Sequence, residues 1–210
     1  QADVDAFLPD PRTSLPALLN PDHPLSLDPL TAGPILMKYR KDHLEAMTRV
    51  LPVLEEIDAA FGKQFGRSYG GGIEAYRTDD ADLVLITIAG MSGTAKDAVD
   101  LAREHGIHAG LIRLRVTRPF PARQIAAALR GKKAFSVVDR SVCFGWNQGP
   151  MHMEVKAALA DQSARFSHFS TIGGLGGADI SLAELGQVID KLEEVKDEPR
   201  EYPVHWLLKD

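Results

Sequence analysis

Cysteine is nearly absent: Cys143 is the only one in 210 residues. One thiol closes no internal disulfide and cannot supply the four thiolates that an iron–sulfur cluster usually takes. A cluster held by this chain alone is therefore excluded, and a reducing, cytoplasmic setting is expected. Basic charge is not in excess either, with 24 Lys and Arg against 29 Asp and Glu and a net charge of −5. Without a basic patch, a nucleic-acid or anionic-membrane surface is not expected. No apolar run approaches the roughly 18 residues of a membrane-spanning helix. The chain starts at Gln1 and lacks the charged, apolar, small-residue order of a secretory signal, so a piece of a longer or processed chain is expected. What the sequence does have is an ordinary apolar share, 44%, enough for a packed core. Its length suits one domain with an arm, or two small units.

Proline is unevenly spread. Seven prolines fall in the first 34 residues and none between 53 and 118. Pro9, Pro11, Pro16, Pro21, Pro24, Pro29 and Pro34 fix φ and remove donors, which excludes a long helix or a central strand over residues 1–34. The interleaved Phe7, Leu8, Leu15, Leu18, Leu19, Leu25, Leu27 and Leu30 make this an extended arm that lies on another surface, in this chain or in a partner. Residues 35–72 read as a helical linker. Leu44, Met47, Val50, Leu51, Leu54, Ile57, Phe61 and Phe65 recur at steps of three and four and form one stripe. Pro52 kinks that helix or starts a second one, Gly66 can end it, and Gly70-Gly71-Gly72 is a joint.

From residue 73 to 210, strands and helices alternate. Leu83–Ile88 is a continuous, β-branched-rich run of the kind buried on both faces of a parallel sheet. Strands are also expected over 111–116, 134–138 and 166–172. Gly90-Met91-Ser92-Gly93 turns into a helix burying Ala95, Ala98, Val99 and Ala102, with Gly106 able to cap it. Pro121 opens a helix with Ile125, Ala128 and Leu129, and Met151–Leu159 is helical. Ser181 and Glu184 have capping-box spacing ahead of Leu182, Leu185, Val188, Ile189 and Leu192. This order predicts an α/β fold in three layers, with a mostly parallel sheet and helices on both faces.

In such a sheet ligands bind beyond the carboxyl ends of the strands. Those ends carry Gly90–Thr94, Thr117-Arg118-Pro119, Asp139-Arg140-Ser141 and Gly173–Gly177. Ser92, Gly93, Thr94, Arg118, Arg140, Gly174 and Gly176 are thus candidate anion-binding or interface positions. The plain alternative makes Ser92 and Ser181 helix caps, the glycines tight turns and the arginines partners of carboxylates. Gly174-Leu175-Gly176-Gly177 lacks the dinucleotide spacing and follows the last strand rather than the first. Neither a phosphate-loop sequence nor a Gly-x-Ser-x-Gly elbow is present, and the seven histidines show no metal spacing. His152 reads as a helix-surface residue and His168 as a satisfied core imidazole. Cys143 reads as a spectator thiol, with a thiolate activated near Arg140 as the alternative. Asp79, Asp80 and Asp82 read as a solvated turn, with cation attraction as the alternative.

Six segments in register resemble one family. They are Gly66-Arg67-Ser68-Tyr69-Gly70, Tyr76-Arg77-Thr78-Asp79-Asp80-Ala81, Gly93-Thr94-Ala95-Lys96-Asp97, Arg118-Pro119-Phe120-Pro121, Asp139-Arg140-Ser141-Val142-Cys143-Phe144-Gly145 with Gly149-Pro150, and Gly173-Gly174-Leu175-Gly176-Gly177. Together they resemble the C-terminal half of the alpha subunit of 2-oxoacid:ferredoxin oxidoreductases, pyruvate:ferredoxin oxidoreductase (pyruvate synthase) in particular. Residues 7–65 resemble that family's link from the preceding domain. The resemblance implies a transketolase C-terminal-like fold. It also implies a parent complex that oxidatively decarboxylates a 2-oxoacid to an acyl-CoA and reduces ferredoxin, or runs in reverse. That complex would use thiamine diphosphate, magnesium, iron–sulfur clusters and CoA, with other subunits and ferredoxin as partners and an oligomeric assembly. The preceding domain's Tyr-Pro-Ile-Thr-Pro-type motif and the Gly-Asp-Gly…Asn magnesium-diphosphate motif are absent, so no catalytic, cofactor or metal residue is carried over. On that reading this chain is an interface lobe, inactive alone. The rival readings are a small-anion, CoA or nucleotide-binding domain, and the C-terminal domain of a thiamine-dependent 2-oxoacid dehydrogenase or transketolase. Two departures from the family pattern stand out: Ala178, where many members have a basic residue, and Trp146-Asn147-Gln148, which lengthens the loop before Gly149.

Overall fold

The computed structural model describes residues 1–9, 21–22, 24, 30–163 and 165–208. It divides into two compact units, 1–68 and 69–210. In the first unit, α1 spans Ala2–Phe7, α2 Gly33–Met47 and α3 Val50–Phe65. The arm thus opens with a six-residue helix. The Phe7 ring meets Phe61 and Phe65 of α3 edge-on, at 5.8 and 5.6 Å between centroids. Pro11, Pro16, Pro29, Leu15, Leu18, Leu19, Leu25 and Leu27 lie outside the described residues. The long helical stretch breaks at Thr48-Arg49, and Pro52 falls in the first turn of α3, where its missing N–H costs no helical bond. Gly66 ends α3 at φ +69°. The stripe forms, with Phe61 and Phe65 against Phe7; no residue of α2 or α3 is fully buried, and Leu44 and Ile57 are 69% and 50% exposed.

The second unit is a six-stranded sheet flanked by helices. Its elements are β1 (Ile73–Tyr76), β2 (Leu83–Ile88), α4 (Met91–Glu104), β3 (Ala109–Leu114), α5 (Ala122–Ala128), β4 (Ala134–Asp139), α6 (Pro150–Leu159), β5 (Ser167–Ile172), α7 (Leu182–Val195) and β6 (His205–Trp206). Strand order is β1-β3-β2-β4-β5-β6, and every pairing is parallel except β1 with β3. The four strands expected from the apolar runs are β2 to β5. The edge strands β1 and β6 escape a reading by hydrophobicity, since they have four and two residues.

Alternation along β2 sorts the core. Leu83 and Leu85 pack with Ala95, Ala98 and Val99 of α4 and Leu185, Val188 and Ile189 of α7. Val84 and Ile86 pack on the opposite face with Ile125 of α5 and Val155 and Leu159 of α6. Both faces are covered, which is why β2 carries no polar alternation. Helix α7 starts at a complete capping box: the Ser181 hydroxyl accepts from the Glu184 N–H, and the Glu184 carboxylate accepts from the Ser181 N–H at 2.7 Å.

The acidic run before β2 is tied to this chain's own cations. Arg103 grips Asp80 through two N–H groups at 2.7 and 3.0 Å and holds its carboxyl at about 2. Lys133 stands 3.3 Å from Asp82.

Candidate functional site

Helices α4 and α7 lie on one face of the sheet, and α5 and α6 on the other. Connections from the neighbours β2 and β4 therefore leave toward opposite faces, which opens a crevice beyond their carboxyl ends. Gly90, Met91 and Thr94 line it from one side, and Arg140, Gly177, Ala178, Asp179 and Ile180 from the other, around about 280 Å³. Of the seven sequence candidates, Thr94 and Arg140 meet here. The Arg140 guanidinium donates to the carbonyls of Gly174 and Ala178 at 3.2 and 3.3 Å, so it braces the glycine turn rather than pairing with a carboxylate. Gly174 allows this because it sits at φ +66°, and a Cβ there would come within 2.9 Å of Arg140 Nε.

The remaining candidates are placed differently. Ser92 is not the cap: it lies inside α4, 1% exposed, with its hydroxyl 2.8 Å from that of Thr87. The residue preceding the helix is Gly90. Gly93 is exposed on the first turn of α4, and Gly176 sits at φ +65° with open space around it. Arg118 stands apart, forked onto Glu154 of α6 at 2.6 and 2.8 Å.

A second cluster lies on α6, β5 and the segment before β6. His152 is completely buried, not on the helix surface. Its Nε2 is 3.2 Å from Nδ1 of His168, and its Nδ1 is 3.3 Å from Oε1 of Gln148. The Lys156 ammonium holds both oxygens of Glu201 at 2.8 Å. Gln148 bonds the same carboxylate through Nε2. The His168 ring stacks on Phe135 at 5.0 Å, 4° from parallel. Burial, then the charge on its neighbours, pushes His152 down to about 3, and burial lowers His168 as well, so both imidazoles are neutral at pH 7. Burial would raise Glu201, but the bond and charge of Lys156 bring it below the ordinary carboxylate value.

Asp139 positions α6. From the end of β4 its carboxylate accepts the N–H groups of Met151 and His152 at 3.0 and 3.2 Å, in the first turn of the helix. The Gly149 N–H donates to Ser170 of β5 at 2.9 Å. Burial outweighs those two bonds and raises Asp139 to about 6. A raised folded-state value means a contribution that is full below the unfolded value of 3.8 and lost as pH rises through about 6. Asp139→Asn cannot ionise. Urea titrations across pH 3.5–7 are expected to show wild type losing up to about 3 kcal/mol relative to that variant, at about 1.4 kcal/mol per pK unit. A flat difference would contradict the burial of a charged group here.

Sequence reading missed this cluster because its members are far apart in the chain. One signal was available: His152 is spaced three and seven residues from Val155 and Leu159, on the face that α6 buries. The Trp146-Asn147-Gln148 departure also gains a structural meaning. Cys143 N–H donates to the Gln148 carbonyl at 2.8 Å, closing a small loop that delivers Gln148 to His152. Phe144 and Trp146 are left exposed on that loop.

The fold and the crevice at its switch point define a doubly wound α/β lobe whose strand-end loops are braced from within. The sequence model of the pyruvate:ferredoxin oxidoreductase core domain II matches residues 81–185, from two residues before β2 into α7, and the chain belongs to that family. It is 41% identical over 199 residues to the NADH-dependent phenylglyoxylate dehydrogenase subunit alpha of Aromatoleum evansii, covering 92% of this chain and 48% of that one. It is 34% identical over 193 residues to the pyruvate synthase subunit PorA of Methanothermobacter thermautotrophicus, again covering 92% and 48%. Thus the chain spans about half the length of these curated relatives. Two solved structures overlap more distantly. A split-gene transketolase has TM-score 0.46 and 12% identity, covering 56% of this chain and 40% of that one. The 2-oxoglutarate:ferredoxin oxidoreductase of Magnetococcus marinus has TM-score 0.42 and 16% identity, covering 65% and 22%. Among the described residues no helix is long and apolar enough to cross a membrane.

Proposed function

We propose that this chain is the supporting lobe of the alpha subunit of a cytoplasmic 2-oxoacid oxidoreductase. Such an enzyme decarboxylates a 2-oxoacid oxidatively to an acyl-CoA and delivers the electrons to ferredoxin. The observation that carries this reading is the family match across β2 to the start of α7, the frame that bears every strand-end loop. Thiamine diphosphate does not fit the switch-point crevice. There Arg140 is engaged by two carbonyls, and the acidic residue Asp179 stands in the wall. A single cysteine leaves no cluster site on this chain. The chain's part is therefore structural: Thr94, Arg140 and the Gly174–Gly176 turn form a rigid rim against which partner subunits dock. Thiamine diphosphate, magnesium, the clusters and CoA would be held elsewhere in the assembly. Purified chain mixed with pyruvate, CoA, thiamine diphosphate and a viologen dye is expected to leave the dye oxidised, and steady dye reduction would overturn the reading.

A second reading concerns the substrate. The 41% identity to a phenylglyoxylate dehydrogenase subunit, against 34% to a pyruvate synthase subunit, favours an aromatic 2-oxoacid. Complex purified from source cells through this chain, assayed with pyruvate and phenylglyoxylate in parallel, decides between the two by the ratio of kcat/KM values.

A further inference from the structure

We propose that His152, His168 and Glu201 form a site for a divalent transition-metal ion of the zinc type, independent of the oxidoreductase reading. One ligand atom from each of the three lies within 4.8 Å of the others. The two imidazole nitrogens are 3.2 Å apart. Two nitrogens bound tetrahedrally to zinc at about 2.0–2.1 Å stand about 3.3 Å apart, so the histidines already have the spacing of a ligand pair.

Their orientation is held from behind. Gln148 Oε1 faces Nδ1 of His152, so it can accept a hydrogen bond from Nδ1–H and leave Nε2 with its lone pair toward His168. Stacking on Phe135 fixes the plane of the His168 ring. Glu201 is fixed at its backbone: His168 N–H donates to the Arg200 carbonyl at 3.0 Å, and Tyr202 N–H donates to the His168 carbonyl at 2.8 Å. The exposed Glu201 side chain is thereby left within reach of both imidazoles.

Lys156 neutralises Glu201. The ion replaces that ammonium, so metal and Lys156 compete for one carboxylate. His168 and Lys156 also line a groove of about 350 Å³ with Arg165 and Arg200, which gives solvent a route to a fourth ligand position. The cationic rim favours water that has lost a proton, or a small anion, at that position. It also limits affinity for the bare ion.

Tag-free full chain titrated with cobalt(II) is expected to take up one ion with the visible d–d band of a tetrahedral site, and zinc(II) is expected to displace it. His168→Gln and Glu201→Gln should each weaken cobalt binding at least tenfold. Lys156→Met should strengthen it severalfold, because the competing ammonium is gone. Glu201 is exposed, so its variant tests the site even where His168→Gln disturbs the strand, and circular dichroism verifies each fold. No cobalt uptake at stoichiometric concentration, or uptake that survives Glu201→Gln unchanged, would overturn the proposal. Lys156→Met binding no tighter than wild type would also overturn it.

Discussion

Gly149→Ala is expected to unfold the α/β unit at markedly lower urea, with a loss of about 3–5 kcal/mol. A Cβ at position 149 would overlap the carboxyl group and the Cβ of Asp139, deep inside van der Waals contact. Neither side can yield cheaply. Asp139 is 2% exposed at the end of β4 and holds the first turn of α6 by two N–H bonds, while Gly149 N–H is fixed to Ser170. Moving the carboxylate breaks both bonds and leaves a buried charge without donors. Moving the helix displaces Val155 and Leu159 from the core. A second substitution separates the causes. Asp139→Ala should not rescue Gly149→Ala, because its Cβ still collides, whereas Asp139→Gly should recover part of the loss. A Gly149→Ala chain with wild-type urea midpoint would show that the α6 start is not packed against β4 as described.

Phe135→Ala is expected to cost a similar amount, about 3–5 kcal/mol, by leaving a cavity in the core. Phe135 is 1% exposed and belongs to the core on the α5–α6 face of the sheet. Its ring meets Phe166 edge-on at 5.5 Å and His168 face-on at 5.0 Å. Truncation therefore removes core volume and the support of an imidazole together. For a chain of this size the melting temperature should drop by roughly 6–20 °C. Phe135→Leu, which retains much of the volume, should recover more than half of the stability but not the His168 stacking. Histidine ring resonances in NMR spectra would distinguish the two effects. A Phe135→Ala chain melting within about 2 °C of wild type would contradict the packing.

The frame was legible in the sequence where local chemistry and tertiary packing agree. The run Leu83–Ile88 is buried on both faces, as an uninterrupted apolar strand requires. Ala95, Ala98, Val99 and Ala102 are all buried on α4, and Ser181 with Glu184 caps α7 as their spacing implies. Where burial is decided by partners far along the chain, sequence reasoning lost its hold. His152 is polar and so reads as a helix-surface residue, although its position belongs to the buried face. Ser92 reads as a helix cap because serine favours caps. The helix begins one residue before it, and its hydroxyl turns inward to Thr87. The third β-strand starts two residues earlier than its apolar run, because Gly110 and Ala109 are recruited by parallel pairing with β2. Of the strand-end candidates, Thr94 and Arg140 were brought together and Arg118 was not, since strand order places them and no local motif reports it.

The two outermost strands set how the lobe can associate. β1 is four residues long, runs against its neighbour and has Glu74 tied to Lys96 and Arg113, and β6 has only two residues. Neither border presents a long row of open amides and carbonyls for another polypeptide to continue. Growth of the sheet into fibrils or edge-paired dimers is thereby discouraged, and contact with other polypeptides is directed to the helices and the turns.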